Sequence, residues 1–111
     1  MALPLTVFKT IPVDVPVTPV DVYTAPTGYN AIVLTAQTVN TDASAQNFTL
    51  RLIRGATTHP IVFNYPIPSQ EVLISSGGTA GKLVLQTGDK LSVVGTTTNL
   101  KFTLSVLETL I

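Results

Sequence analysis

The stretch Ser75-Ser76-Gly77-Gly78-Thr79-Ala80-Gly81-Lys82 holds the residue types of a phosphate cradle. Glycines let backbone amides close on an anion, and a lysine meets its charge. A phosphate loop also needs a glycine five residues before its Gly-Lys pair and a Ser or Thr directly after it. Those positions are Ser76 and Leu83, and the alternating residues that follow predict a strand. No helix N-terminus would then face the phosphates. The loop is read as a connector. His59 is the only histidine, in an expected turn between Thr58 and Pro60, and is read as solvated; cysteine is absent, which excludes disulfides and thiolate metal sites. No G-x-S-x-G elbow raises a serine nucleophile, which argues against a small hydrolase. The carboxylates Asp14, Asp21, Asp42, Glu71, Asp89 and Glu108 are scattered. Asp42 and Asp89 fall in polar turns, where local hydrogen bonding explains them, and Glu108 is expected to pair with Lys90 or Lys101 across strands. The expectation is no enzyme, no cofactor, no metal and no small-molecule substrate.

The elements that would position any site are strands. Phe102, Leu104 and Val106 alternate with Lys101, Thr103 and Ser105, and Phe48, Leu50 and Leu52 alternate with Asn47, Thr49 and Arg51. Ile32, Leu34 and Ala36 share a face, although Val33 and Val39 make the other face partly apolar. Leu83 and Leu85 precede a Thr87-Gly88-Asp89 break, and Leu91 and Val93 follow it, which predicts a hairpin with a positive φ at Gly88. Residues 40–44 are read as a second hairpin connection and 55–60 as a third. Strands at such spacing predict an all-β chain of about seven or eight strands, a single antiparallel β-sandwich of Ig-like or jelly-roll-like type.

The N-terminal run is different. Pro12, Pro16, Pro19 and Pro26 punctuate a series of valines, and proline cannot donate to a central ladder. Residues 1–20 are therefore expected as an extended arm or edge strand, and residues 21–111 as the sandwich domain. The apolar residues Leu3, Leu5, Val7, Phe8, Ile11, Val13, Val15, Val17 and Val20 are the candidate assembly contacts, buried against this subunit or a neighbour.

Six basic residues balance six acidic ones, so no electrostatic footprint for nucleic acid or an anionic membrane is present. Charged residues make up 11% of the 111, against about 25% in an ordinary domain, with Thr, Ser, Asn and Gln in their place. Hydroxyls and amides cost less to desolvate than ions, so this surface suits contact with other protein. No apolar run approaches the ~18 residues that span a bilayer, and the start has no basic segment before an apolar one. Synthesis and assembly in a cytoplasm are expected, and the Asn47-Phe48-Thr49 sequon is read as chance.

The order of segments resembles small structural proteins of tailed bacteriophages. The residues that carry the likeness are Tyr23 with Pro26, Asn40, Ile67-Pro68, Leu85-Gly88-Asp89-Leu91, and Ser105 to Glu108. The resemblance spans about residues 21–110 and implies a β-sandwich virion component. The type is a capsid decoration (cement) protein or a head or tail accessory protein, with the major capsid or another shell protein as partner, a homo-oligomeric state and a place in the virion. A carbohydrate- or receptor-binding module on a tail or fibre is the alternative. Seven aromatics without Trp leave few rings to spare for a glycan site.

Overall fold

The protein is described here by a computed structural model covering residues 5–77 and 81–111. These residues form strands β1 (Thr6–Asp14), β2 (Val20–Thr24), β3 (Tyr29–Asn40), β4 (Gln46–Arg54), β5 (Thr57–Ile67), β6 (Val72–Ser76), β7 (Leu83–Leu85), β8 (Lys90–Gly95) and β9 (Leu100–Leu110). Two antiparallel sheets pack as a sandwich. The first runs β1-β9-β3-β6, with β7 continuing the β6 edge along β3, and the second runs β2-β8-β4-β5. The strand count exceeds the expected one because the valine-rich start is itself a strand and because β6 and β7 divide one edge between them.

One path explains this order. The pairs β4·β5, β3 with β6 and β7, β2·β8 and β1·β9 make the chain a folded-back ribbon, with its tip at the turn between Arg54 and Thr57. Rolling that ribbon brings β9 against β3 and β8 against β4. Of the two expected topologies, this is the jelly roll.

The register corrects three local expectations. Residues 83–85 and 91–93 are not hairpin partners, since β7 pairs β3 in one sheet while β8 pairs β2 and β4 in the other. The turn at Gly88, with φ +86°, carries the chain between sheets. Residues 40–44 likewise bridge β3 and β4 across the sandwich and close no hairpin. The third connection does close a hairpin, but β5 begins at Thr57 and runs through Pro60 and Pro66, so His59 lies in a strand opposite Leu52. Proline is admitted there because β5, like the Pro12-bearing β1, is an edge strand whose outward N–H needs no partner.

Alternation builds the core. Phe102, Leu104 and Val106 of β9 and Ala31, Val33 and Ala36 of β3 face Phe48 and Leu50 of β4 and Leu91 and Val93 of β8. The Phe48 and Phe102 rings stack across the layer, with centroids 5.8 Å apart.

Gly77 shows what the glycine-rich stretch is for. Its φ is +96°, and a Cβ there would sit 2.6 Å from the Leu34 carbonyl oxygen on β3. Gly77 lets the chain leave β6 while touching the backbone of its neighbour, and Lys82 leads directly into strand β7. Gly77→Ala is expected to cost roughly 2–4 kcal/mol, combining left-handed strain with backbone overlap. Gly28→Ala, at φ +87° with nothing within 4 Å, is expected to cost only about 1 kcal/mol. Urea denaturation of both variants checks the difference.

Candidate assembly interface

Thr6–Asp14 pairs along its whole length with β9 of the same chain. Within this run Ile11 and Val13 pack against the core, and Val7 is half-buried. Val15 is fully buried, and its N–H bonds the Leu100 carbonyl, so it has no area to offer a partner. Leu5, Phe8, Val17 and Val20 are exposed. Leu3 lies outside the described residues.

Phe8 does not stand alone. The register sets Phe8 opposite Leu107, Leu107 opposite Ile32, and Ile32 opposite Val84, on the face away from the core. This apolar row crosses all the strands of the first sheet at that level, and its two ends are open to solvent, Phe8 at 72% and Val84 at 56%. Further rows on the same face place Thr10, Ser105 and Thr35 together, then Pro12, Thr103, Gln37 and Ile74, then Asp14, Lys101, Val39 and Val72. Ile74 and Val72 are exposed. The only charges from the strands on this face are Asp14 and Lys101, which neutralise each other at 3.1 Å. The outer face of the second sheet instead carries Asp21, Lys90 and Arg51. One side of the sandwich is thus built of hydroxyls, amides, aliphatic groups and the Phe8 ring, with its ionic pair at one end.

Several of the remaining charged groups hold the sandwich together. Glu108 points inward from β9 and is buried; it accepts a 2.5 Å hydrogen bond from the Tyr23 hydroxyl of β2 and lies 3.1 Å from Lys9 Nζ of β1. The expected partners Lys90 and Lys101 are engaged elsewhere, with Asp21 and Asp14. Sequence parity puts Glu108 on the core side, where only inward-facing neighbours reach it. Burial, with the Glu108 carboxylate beside it, holds the Tyr23 hydroxyl above the usual phenol range. This cluster ties the first sheet to the second near their β1 and β2 edges. At another turn, the Arg54 guanidinium grips buried Asp89 through Nε and Nη2, the latter at 2.6 Å, and Asp89 also accepts the Gln86 N–H at 2.8 Å. The Arg54 hydrogen bonds hold the Asp89 carboxyl below the usual carboxylate range despite its burial. Asp42 is also held low, first by Asn99 and then by the Ser44 amide.

His59 is exposed, and among the described residues no three His, Asp or Glu side chains gather as metal ligands. The cross-strand row on the first sheet was invisible in the sequence as a surface. Its members come from four strands spread between residues 8 and 107, and only the register joins them. The usable signal was the second apolar face of β3, read from Val33 and Val39; the register shift between Val33 and Thr35 instead buries Val33 and sets Ile32 on the outer side with Val39.

No protein-family model matches the chain, and no curated protein matches it. Two solved structures are similar in fold. One is a pentameric capsid protein isolated from metagenomic phage sequences, 18% identical, with TM-score 0.45 over 90% of this chain; the chain spans 60% of that protein's length. The other comes from Bacillus endospore appendages, which form disulfide-linked pili; it is 13% identical with TM-score 0.47, covering 99% of this chain and 93% of that one.

The Arg54–Asp89 contact predicts an acid dependence of stability. The folded carboxyl titrates below the unfolded value of about 3.9, so its contribution is complete at neutral pH and is lost as pH falls below that value through the folded one. Urea midpoints are expected to hold steady above about pH 5 and then to fall. Asp89→Asn should lower stability at pH 7 by roughly 2 kcal/mol and shallow the acid limb. An unchanged limb in the variant would rule out the Arg54–Asp89 contact as the source of the acid sensitivity.

Proposed function

We propose that this protein is a structural subunit of a virion, a head decoration (cement) protein that acts by covering and being covered by other protein, without catalysis. The observation that carries this reading is the charge-neutral outer face of the first sheet, with the Phe8–Leu107–Ile32–Val84 row across it. A sheet face left in water ordinarily alternates apolar residues inward with polar ones outward. Here Ile32 and Val39 of β3, Val72 and Ile74 of β6 and Val84 of β7 occupy outward positions. Four strands about 4.8 Å apart and about nine residues long present roughly 600 Å² of sheet, so two partners would bury about 1,200 Å², the lower end of a specific interface. The neutral net charge and the resemblance to small phage structural proteins point the same way. A homo-oligomer seated on a shell protein accounts for both this face and the exposed apolar residues of the N-terminal segment.

Deleting the first twenty residues is a poor test, because it removes β1 and Val15 from the subunit itself. Phe8→Lys with Val84→Lys is a better one, since both side chains are exposed. The double variant is expected to keep the wild-type denaturation midpoint while its mass by light scattering falls to that of one chain and its retention on native particles drops at least tenfold. A wild-type chain that stays monomeric at high concentration and leaves shell proteins unbound overturns the reading.

A further inference from the structure

The outer face of the second sheet contains a cleft of about 120 Å³, lined by Asn47 and Thr49 of β4, Asn64 of β5, and Val94, Gly95 and Thr96 at the end of β8. We propose that this cleft binds a neutral saccharide, one sugar ring at the end or along the chain of a glycan. The inference is independent of the assembly reading, since it concerns the opposite side of the sandwich.

A local distortion builds the cleft. The register steps from Phe48↔Tyr65 to Leu50↔Val62, so Phe63 and Asn64 together oppose the single residue Thr49. Such bulges re-aim side chains at the edges of sheets. Asn64 takes a φ of +48°, and its N–H donates to Thr49 Oγ1 at 2.9 Å. That bond leaves the Thr49 hydroxyl hydrogen free to donate outward. Thr96 is saturated, because its oxygen accepts the Asn47 N–H and its hydroxyl bonds Gln46 Oε1. The Asn47 and Asn64 carboxamides have no hydrogen-bond partner among the described residues.

Two free carboxamides and one free hydroxyl around a Val94 and Gly95 wall define the ligand chemistry. Each carboxamide offers an acceptor beside donors, the pattern that a pair of adjacent hydroxyl groups answers. No charged side chain lines the cleft, so nothing there meets a phosphate or carboxylate. The volume is well below the ~300 Å³ of a drug-sized site and suits one ring edge. Phe63, which shares the bulge with Asn64, is 69% exposed and supplies spare aromatic surface on this side for a second sugar to stack on. Tyr65, opposite Phe48, belongs to the core-facing side of β5.

The test titrates the ¹⁵N-labelled full chain with glucose, galactose, mannose and N-acetylglucosamine while following its amide signals. At least one sugar is expected to shift the Asn47 and Asn64 side-chain amides and the Gly95 backbone, saturating in the millimolar range of a few hydrogen bonds. Asn64→Gly keeps the left-handed backbone and removes the carboxamide, and Asn47→Ala removes the other; each should weaken binding at least tenfold with a folded spectrum. The Phe8→Lys, Val84→Lys variant should bind as the wild type does. Silence with all four sugars, or shifts that survive both asparagine variants, overturns the proposal. Neither outcome bears on whether the first sheet mediates assembly.

Discussion

The structure depends on burying one apolar layer between two sheets, and the stacked Phe48 and Phe102 rings mark its middle. Every strand that reaches this layer surrenders alternate side chains to it, which leaves the other set to face outward. A chain this short has no second core in which to place more apolar groups. Aliphatic residues beyond those the layer accepts are therefore surface. The row from Phe8 to Val84 is that surplus, concentrated on one side.

Apart from Thr38, which is fully buried within β3 opposite Phe102, the polar groups that reach into the layer sit where strands change sheets or meet an edge. Asn40 is fully buried at the end of β3, where its amide holds the Ser44 and Ile67 carbonyls and its side-chain oxygen takes the Asp42 N–H. Asp89 does similar work at the crossing from β7 to β8, and Glu108 joins β1, β2 and β9. A crossing between sheets leaves backbone groups without ladder partners, and the Asn40 and Asp89 side chains supply them. The charges of this charge-poor chain are thus largely committed to its own architecture. Few remain to keep it apart from other protein.

The two outer faces differ for a reason rooted in their edges. On the first sheet, β1 pairs evenly with β9, and the two register shifts of β3 against β9 and β6 still leave outward residues from successive strands aligned into rows. On the second, β5 carries two irregularities and two prolines, which break the rows and open the cleft beside Asn64. An even face offers breadth to a protein partner, and a broken one offers depth to a small group.

Period-two alternation in the sequence determined the all-β class, the turn positions and most of the core, because each strand's apolar face is a property of its own residues. Phe48, Leu50, Leu91, Val93, Phe102, Leu104 and Val106 are all buried where alternation puts them. Proline's missing ladder donor, rather than alternation, marked the N-terminal run for an arm or edge. Alternation could not tell a hairpin from a crossing between sheets, because Leu83 and Leu85 face the core equally well beside Leu91 and Val93 or opposite them. The rolled ribbon settled that choice, and with it the partners of Glu108, the neutral face and the cleft. Each of these joins residues far apart in the chain, and only the cross-strand register brings them within reach.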